Sequence, residues 1–259
     1  MSTLSSIWKS RLKAAGIHLG ISLVLALMAA LLVFFVWFPY PYNKISGGDS
    51  LFLLIVSVDV IMGPLLTLAI FNIAKPRKEL RRDLAVIATL QLLALGYGMW
   101  TVALSRPVYL VYEIDRFRVV HAVDVPTELL DRATPEFRQL PLFGPRIISV
   151  RNFSNENEKT EMTFAALAGV SIAARPEMWQ SYAQARPQIL GGMKPVAELK
   201  ARMPARVTDI DNALKAAGAL SRPAGSVAYV PMVGRGLFWT VLLDAQTAEV
   251  IAFVPVDSF

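Results

Sequence analysis

Apolar and polar residues are distributed differently in the two parts of the chain, and the change comes at Ser105. Three runs, 19–38, 51–74 and 84–104, are apolar and about 20 residues or longer. A helix rises about 1.5 Å per residue, so each run can cross the roughly 30 Å of a bilayer's hydrocarbon. No later run is long enough. The pattern predicts a membrane α-helical bundle of three transmembrane helices, followed by a soluble α+β domain over 105–259.

The second part carries shorter periodic segments. Those rich in β-branched and aromatic residues predict strands at 108–114, 117–125, 145–153, 227–233, 237–243 and 250–254. Helices are predicted at 155–169, 176–185, 196–201 and 208–217, with Gly191-Gly192 as a turn. We expect a mainly antiparallel sheet that gathers both groups of strands. The full division is a cytoplasmic segment 1–18, a transmembrane domain 19–104 and a periplasmic domain 105–259.

Charges flanking the apolar runs predict the topology. Lys9, Arg11 and Lys13 precede the first run, and five cations lie in the loop 75–83, whereas the loop 39–50 holds only Lys44 and Asp49. Cytoplasmic loops are enriched in Lys and Arg. The N-terminus and the second loop are therefore predicted to be cytoplasmic, with the C-terminal domain on the other side.

Composition agrees with a membrane protein and argues against a nucleic-acid partner. Hydrophobic residues make up 54% of the 259 residues, and mean hydropathy is +0.47. The net charge of +6 divides into +5 for residues 1–104 (nine cations, four anions) and +1 for residues 105–259 (seventeen and sixteen). The excess of basic residues therefore reflects membrane topology and does not indicate nucleic-acid binding. The chain has no cysteine, which excludes disulfides and thiol nucleophiles.

The second run contains an acid, Asp59, and a Gly63-Pro64 break. A charged residue at mid-membrane costs about 2.5–3.5 kcal/mol on insertion scales and therefore usually has a partner or a function. Asp59 is open to three interpretations: a structural ion pair, with Arg106 as the first candidate partner and Lys44 as the other; a contact to another membrane polypeptide; or part of an ion pathway with Gln91 and His18. Gly98 is a candidate for close helix contact.

The C-terminal part offers no motif typical of an enzyme. It has no Gly-x-Ser-x-Gly elbow, no His-Glu-x-x-His and no phosphate-binding glycine loop. Its one histidine, His121, lies in a predicted strand, where a packed or exposed position is a better interpretation than catalysis. We expect no catalytic residue, cofactor or metal.

Several short motifs nevertheless occur along almost the whole chain in a characteristic order and spacing. They are Trp37-Phe38-Pro39-Tyr40-Pro41, Val58-Asp59, Gly63-Pro64-Leu65-Leu66-Thr67-Leu68, Lys75-Pro76, Asp83-Leu84, Gln91, Tyr97-Gly98, Arg106-Pro107, Asp115-Arg116-Phe117, Gly144-Pro145, Arg175-Pro176-Glu177 and Tyr229-Val230-Pro231. In order and spacing the sequence resembles the TfpX/TfpZ family of type IV pilin accessory proteins, which includes FimB-like proteins. The resemblance implies a bacterial inner-membrane protein that acts with the major type IV pilin, and with other pilus assembly proteins, in pilus biogenesis. It brings no catalytic residues.

Three functions remain open at this point. The first is a chaperone-like accessory that holds membrane-inserted pilin; the second is a membrane-bound enzyme that modifies pilin or envelope glycans; the third is a sensor of an external ligand. Asp59 is fifteen residues from Ala74, which is about 22 Å along a helix axis. A pilin amino group near the cytoplasmic face would be too distant for a direct pair, so Asp59 is interpreted as an internal organiser of the bundle.

Overall fold

The computed structural model describes residues 2–259, with side chains from residue 6 onward; Met1, the first residue of the predicted N-terminal segment, lies outside the described residues. The chain divides into two compact units. A helical unit comprises the residues up to Pro39 and Gly47–Ser105, and a sheet unit comprises Tyr40–Ser46 and Arg106–Phe259. The sheet unit thus includes a short segment from the first loop, which the sequence analysis had assigned to the transmembrane domain.

Three helices of the helical unit are long and apolar enough to cross a membrane. The candidate span of the first long helix is Ser6–Trp37, that of the second is Gly48–Ile70 and that of the third is Arg77–Ser105. The first long helix consists of α1 (Ser2–Leu31) and a π-helical continuation, Leu32–Trp37. The second consists of α3 (Gly48–Ser57), a π-helical segment, Val58–Met62, and α4 (Gly63–Ile70). The third is the single helix α5 (Arg77–Ser105). The short helix α2 (Tyr42–Ile45) belongs to the sheet unit.

The helical unit has a small core, and much of its remaining apolar surface is exposed. Val33, Phe38 and Val102 are buried together, and the rings of Phe34 and Phe52 meet edge to face at 4.9 Å. Most leucines of the three helices point outward. An apolar exterior of this kind suits lipid rather than water.

The sheet unit contains one eight-stranded mixed sheet. Its strands are β1 (Pro107–Glu113), β2 (Arg116–His121), β3 (Arg146–Val150), β4 (Trp179–Ser181), β5 (Lys194–Pro195), β6 (Val227–Val233), β7 (Phe238–Asp244) and β8 (Val250–Val254). The order is β4-β3-β1-β2-β6-β7-β8, and β5 pairs with β6. Only β1–β3 and β2–β6 are parallel pairs within the described residues. The three long helices and the mainly antiparallel sheet confirm the predicted fold class.

Both faces of the sheet are covered, so every residue of the central strand β1 is buried. On one face Tyr109 contacts Phe137 and Trp179. On the other, Tyr112 and Phe117 form a core that includes Tyr42 and Ile45 of α2. The remaining helices are α6 (Glu156–Leu167), α7 (Arg186–Gly192), α8 (Val196–Arg202) and α9 (Val207–Ala216).

The helix predicted at 176–185 is wrong. The structure has a 3-10 turn at Pro176–Met178, then β4, then a 3-10 turn at Tyr182–Ala185. Strand β4 hydrogen-bonds to β3, and the buried indole of Trp179 donates to the Ala173 carbonyl at 2.8 Å. Pairing with the sheet edge therefore overrides the local helical preference. The predicted Gly191-Gly192 turn is instead the end of α7.

Candidate functional site

The second and third long helices meet closely at Gly63. A Cβ atom placed on Gly63 would lie 1.9 Å from Gln91 Nε2 and 2.9 Å from Gln91 Cδ. Any other residue there would displace the amide of Gln91. Glycine at position 63 is what allows a polar side chain of one helix to reach the backbone of the next.

Asp59 is the residue that Gln91 reaches. Gln91 Nε2 donates to Asp59 Oδ1 at 3.2 Å and lies 3.4 Å from the Asp59 carbonyl oxygen. Asp59 is buried, so its carboxylate is withdrawn from the apolar exterior. Three of the predicted site residues are thus brought together on two facing helices.

Pro64 explains why the Asp59 carbonyl accepts a side-chain donor. Residues Val58–Met62 are π-helical, a form in which a carbonyl accepts from the N–H five residues later. For Asp59 that residue is Pro64, which has no N–H. The Gln91 amide lies where it can compensate for part of the missing bond.

Gly98 provides a second close approach between the same two helices. A Cβ atom there would lie 2.8 Å from Ile55 Cγ2 and 3.0 Å from Ile55 Cγ1. Both atoms are attached directly to the Ile55 Cβ, so the isoleucine has little freedom to move aside. Gly63 and Gly98 together set the spacing of the second and third long helices.

The first long helix adds further polar groups. His18, Ser22, Asp59 and Gln91 line a cavity of about 180 Å³, and His18 Nδ1 lies 2.5 Å from Thr67 Oγ1. Ser22 and Thr67 are buried. His18 was a predicted candidate, whereas these two hydroxyls were not predicted. Their spacing was a usable signal, since Ser22 is one helical turn from His18 and Thr67 two turns from Asp59.

A larger apolar groove lies between the second and third long helices, with a cavity volume of about 380 Å³. Asp59 and Gln91 lie in its wall, as do Gly63 and Gly98. Apart from Thr101 and Tyr97, its other lining residues are aliphatic: Leu51, Leu54, Ile55, Val58, Met62, Leu66, Leu90, Ala94 and Leu95. Such a groove can receive an apolar helix or an acyl chain.

Arg106, the predicted partner of Asp59, belongs to the sheet unit. Its Nη2 atom donates to the Pro141 carbonyl at 3.2 Å. Its pairing with Asp59 stays a prediction. Elsewhere in the sheet unit, His121 is buried and paired with Asp124 at 2.9 Å. No group of three His, Cys, Asp or Glu side chains within residues 2–259 is arranged to hold a metal.

Comparison with known proteins identifies relatives along almost the whole chain. The family model for the fimbrial assembly protein FimB matches residues 6–47. Two fimbrial assembly proteins of Dichelobacter nodosus, from serogroups I and E1, are each 38% identical over 249 residues, covering 95% of this chain and 95% of the relative. A third, from serogroups C1 and C2, is 44% identical over 121 residues, which is 47% of this chain and 92% of that protein.

No solved structure matches the chain. The identity of 38% with two relatives extends through both the helical unit and the sheet unit. The chain therefore belongs to the FimB-like family of fimbrial assembly proteins.

Proposed function

We propose that this protein is an assembly factor for type IV pili that holds membrane-inserted pilin subunits before they join the pilus. The relatives are named as fimbrial assembly proteins. The observation that carries the finer proposal is the apolar groove between the second and third long helices, which is lined mainly by aliphatic side chains and has only two strongly polar groups. The occupant is the apolar N-terminal helix by which a pilin subunit resides in the membrane.

The groove is suited to a helix because its walls are held at a fixed spacing. Gly63 and Gly98 leave no room for a side chain between the two helices that form it. Association of helices in lipid depends on close van der Waals packing, since lipid tails are as apolar as leucine. A preformed groove lined by Leu54, Leu90 and Tyr97 therefore gains contacts without first being reorganised.

The charge distribution supports an orientation for this complex. We place the N-terminus and the loop 75–83 in the cytoplasm, the three long helices in the inner membrane and the sheet unit in the periplasm, following the cations in those segments. A pilin subunit has its globular head on the periplasmic side of its helix. One protein with a membrane groove and a periplasmic domain can contact both parts.

Asp59 has an organising role in this proposal. Its contacts with Gln91 account for its burial without any external partner. The cluster of Asp59, Gln91, Gly63 and Pro64 shapes the second long helix, and the apolar residues around it contact the pilin. The structural interpretation is preferred over a proton pathway for this reason.

Co-purification of pilin from native membranes tests the proposal. Leu90 and Leu93 are both exposed on the third long helix, but only Leu90 lines the groove. We expect Leu90→Trp, which fills the groove, to lower the pilin recovered with the full chain by about tenfold, since overpacking a close contact typically costs about 1–3 kcal/mol. Leu93→Trp should recover pilin as the wild type does. Equal recovery with both variants would refute the groove as the binding site.

A further inference from the structure

The sheet unit contains a polar cavity of about 420 Å³ that has no part in the proposal above. Three chain segments form it: the end of β2 with the turn after it, the segment 169–174, and the turn at Gly234-Arg235. Its ionisable lining residues are Arg118, His121, Asp124 and Arg235. Small-molecule sites in proteins commonly have volumes of about 300–1,000 Å³, and this cavity falls within that range.

His121 is oriented by Asp124 and has one nitrogen without a partner. Asp124 Oδ2 accepts from His121 Nδ1 at 2.9 Å and from the His121 backbone N–H at 3.0 Å. Because a carboxylate only accepts, Nδ1 carries a hydrogen, and Nε2 is left as the free position of the ring. His121 is 2% exposed, yet Nε2 has no hydrogen-bond partner among the described residues.

The charge of Asp124 is maintained by these contacts. Burial raises the pKa of the carboxyl, but the hydrogen bonds from His121 and the charge of Arg235 outweigh burial, so that the pKa lies below its usual value. Asp124 therefore acts as a fixed acceptor that orients His121. A buried nitrogen that is held in place but unpaired is unfavourable unless a ligand or water completes it.

Both arginines of the cavity keep unused donors. Arg118 Nε donates to Glu113 Oε1 at 2.5 Å, and Glu113 Oε2 accepts from the Ala173 backbone N–H at 3.2 Å, so Glu113 links Arg118 to the segment 169–174. Arg235 Nη2 contacts Asp124 Oδ1 at 3.4 Å. The other guanidinium N–H groups of Arg118 and Arg235 have no hydrogen-bond partner in the part of the chain that the structure describes.

We infer that this cavity is a binding site for a phosphate-type oxyanion. Guanidinium groups bind tetrahedral oxyanions through several N–H donors. The free Nε2 of His121 suits the same ligand, because it accepts from the P–OH of a monoprotonated phosphate and donates when the ring is protonated. A cation is disfavoured beside two arginines. The cavity also leaves room for a group attached to the phosphate, which is supplied either by a phospholipid headgroup or by a water-soluble phosphate compound.

Isothermal titration of the full chain with inorganic phosphate tests the site. The protein is extracted in a phosphate-free glycoside detergent and washed until its phospholipid is removed, and sodium chloride of equal ionic strength serves as the reference. We expect saturable phosphate binding that Arg235→Gln weakens about tenfold or more, because the variant loses a hydrogen bond between two charged groups. The Arg235 side chain is half exposed, so this change leaves the core intact.

Arg222→Gln is the matched control. Arg222 is also an exposed arginine paired with an aspartate, at 2.5 Å from Asp244, but it does not line the cavity. The Arg222→Gln variant should bind phosphate with the same affinity as the wild type. His121→Asn provides a second test: its amide can still donate to Asp124 but lacks an equivalent of Nε2, so phosphate affinity should fall while near-ultraviolet circular dichroism stays native.

Two outcomes would overturn the inference: no saturable phosphate binding to the wild type, or equal weakening by Arg235→Gln and Arg222→Gln. If His121→Asn does not fold, the two arginine variants still decide the result. Native mass spectrometry before washing identifies the source of the ligand. A retained phospholipid that phosphate displaces assigns the site to a lipid headgroup, whereas competition by glycerol 3-phosphate without any retained lipid assigns it to a soluble phosphate compound.

Discussion

At the residue scale, the carboxylate of Asp59 is held by an amide rather than by a cation among its described contacts. Gln91 Nε2 donates to Asp59 Oδ1, and the oxygen of an asparagine could accept the same hydrogen bond. We therefore expect Asp59→Asn to be tolerated. Asp59→Lys places a cation against the Gln91 donor inside an apolar bundle and should disrupt it.

The measurement for Asp59 is the thermal unfolding midpoint of the detergent-solubilised chain, together with a count of surface pili. Asp59→Asn should keep both near the wild-type values, and Asp59→Lys should lower both. If the two variants lose pili equally while Asp59→Asn remains stable, Asp59 has a direct function in assembly and the organising role is wrong.

Gly63 allows a more quantitative test. An alanine there pushes the Gln91 amide away from Asp59, and an interhelical hydrogen bond is worth about 0.5–2 kcal/mol. Gly63→Ala should destabilise the protein by about that amount relative to the same change at a helical glycine that has no close contact. Gly96→Ala in the third long helix is the control, because no atom lies within 4 Å of its Cβ position, and alanine is the better helix former.

A double-mutant cycle connects the Gly63 effect to its cause. If alanine acts by displacing Gln91, its cost should disappear when Gln91 is already replaced by alanine. Unfolding free energies of the wild type, the two single variants and the double variant in one detergent give the coupling energy. A cost that persists unchanged in the Gln91→Ala background would mean that Gly63 is required for some other contact.

At the scale of elements, the start of α6 is fixed by a carboxylate. Glu158 accepts from Arg151 at 2.6 and 3.0 Å and from the Ser154 backbone N–H, while Asn155 caps the helix by accepting from the Glu158 N–H. The hydrogen bonds from Arg151 and then from Ser154 lower the pKa of Glu158 from 4.5 to about 2. A carboxyl whose pKa is lower in the folded state stabilises that state while it is ionised.

The lowered pKa of Glu158 predicts that the folded state loses stability in acid. The contribution of Glu158 is fully present above about pH 4.5 and is lost as the pH falls towards about 2. Glu158→Gln should lower the unfolding midpoint at pH 7 and reduce the difference between pH 7 and pH 3, measured by near-ultraviolet circular dichroism. Glu156→Gln is the control, since Glu156 is 85% exposed and contacts only Lys159 through its side chain among the described residues. A pH dependence unchanged by Glu158→Gln would contradict this account.

Secondary-structure elements that follow from local pattern can be predicted from the sequence, whereas elements that depend on pairing with distant residues cannot. Long apolar helices and β-branched strands follow from local pattern, and both were predicted. The strand at Trp179–Ser181 was missed because it depends on pairing with β3, a contact made with residues about 30 positions earlier. The acid at position 59 and the glycine-proline break were evident from the sequence. The sequence did not show that Gln91 donates to both the carboxylate and the backbone carbonyl of Asp59.

At the scale of the molecule, the chain combines two units of different surface chemistry, and the sheet unit incorporates Tyr40–Ser46 from the loop between the first and second long helices. Ile45 is buried there, close to Gly234, and Tyr42 meets Phe253 at 6.2 Å. No local pattern in the loop indicated this packing. The loop is consequently a structural part of the sheet unit and not a free connection.

Deletion of the whole protein distinguishes an assembly factor from an enzyme acting on pilin. We expect the deletion strain to make pilin in normal amounts but to display fewer surface pili, because subunits would lack a holding site in the membrane. Intact-mass measurement of pilin should give the same value with and without the protein. A mass difference that complementation restores would favour the alternative of a pilin-modifying enzyme.

The most direct test of the pilin-holding proposal is photo-crosslinking in living cells from adjacent positions of the second long helix. Leu54 lines the groove, whereas Leu53 is equally exposed but does not line it. With a photoreactive amino acid at either position, we predict a pilin adduct from Leu54 and little or none from Leu53. No pilin adduct from Leu54, or adducts of equal yield from both positions, would contradict the proposal that this groove holds pilin.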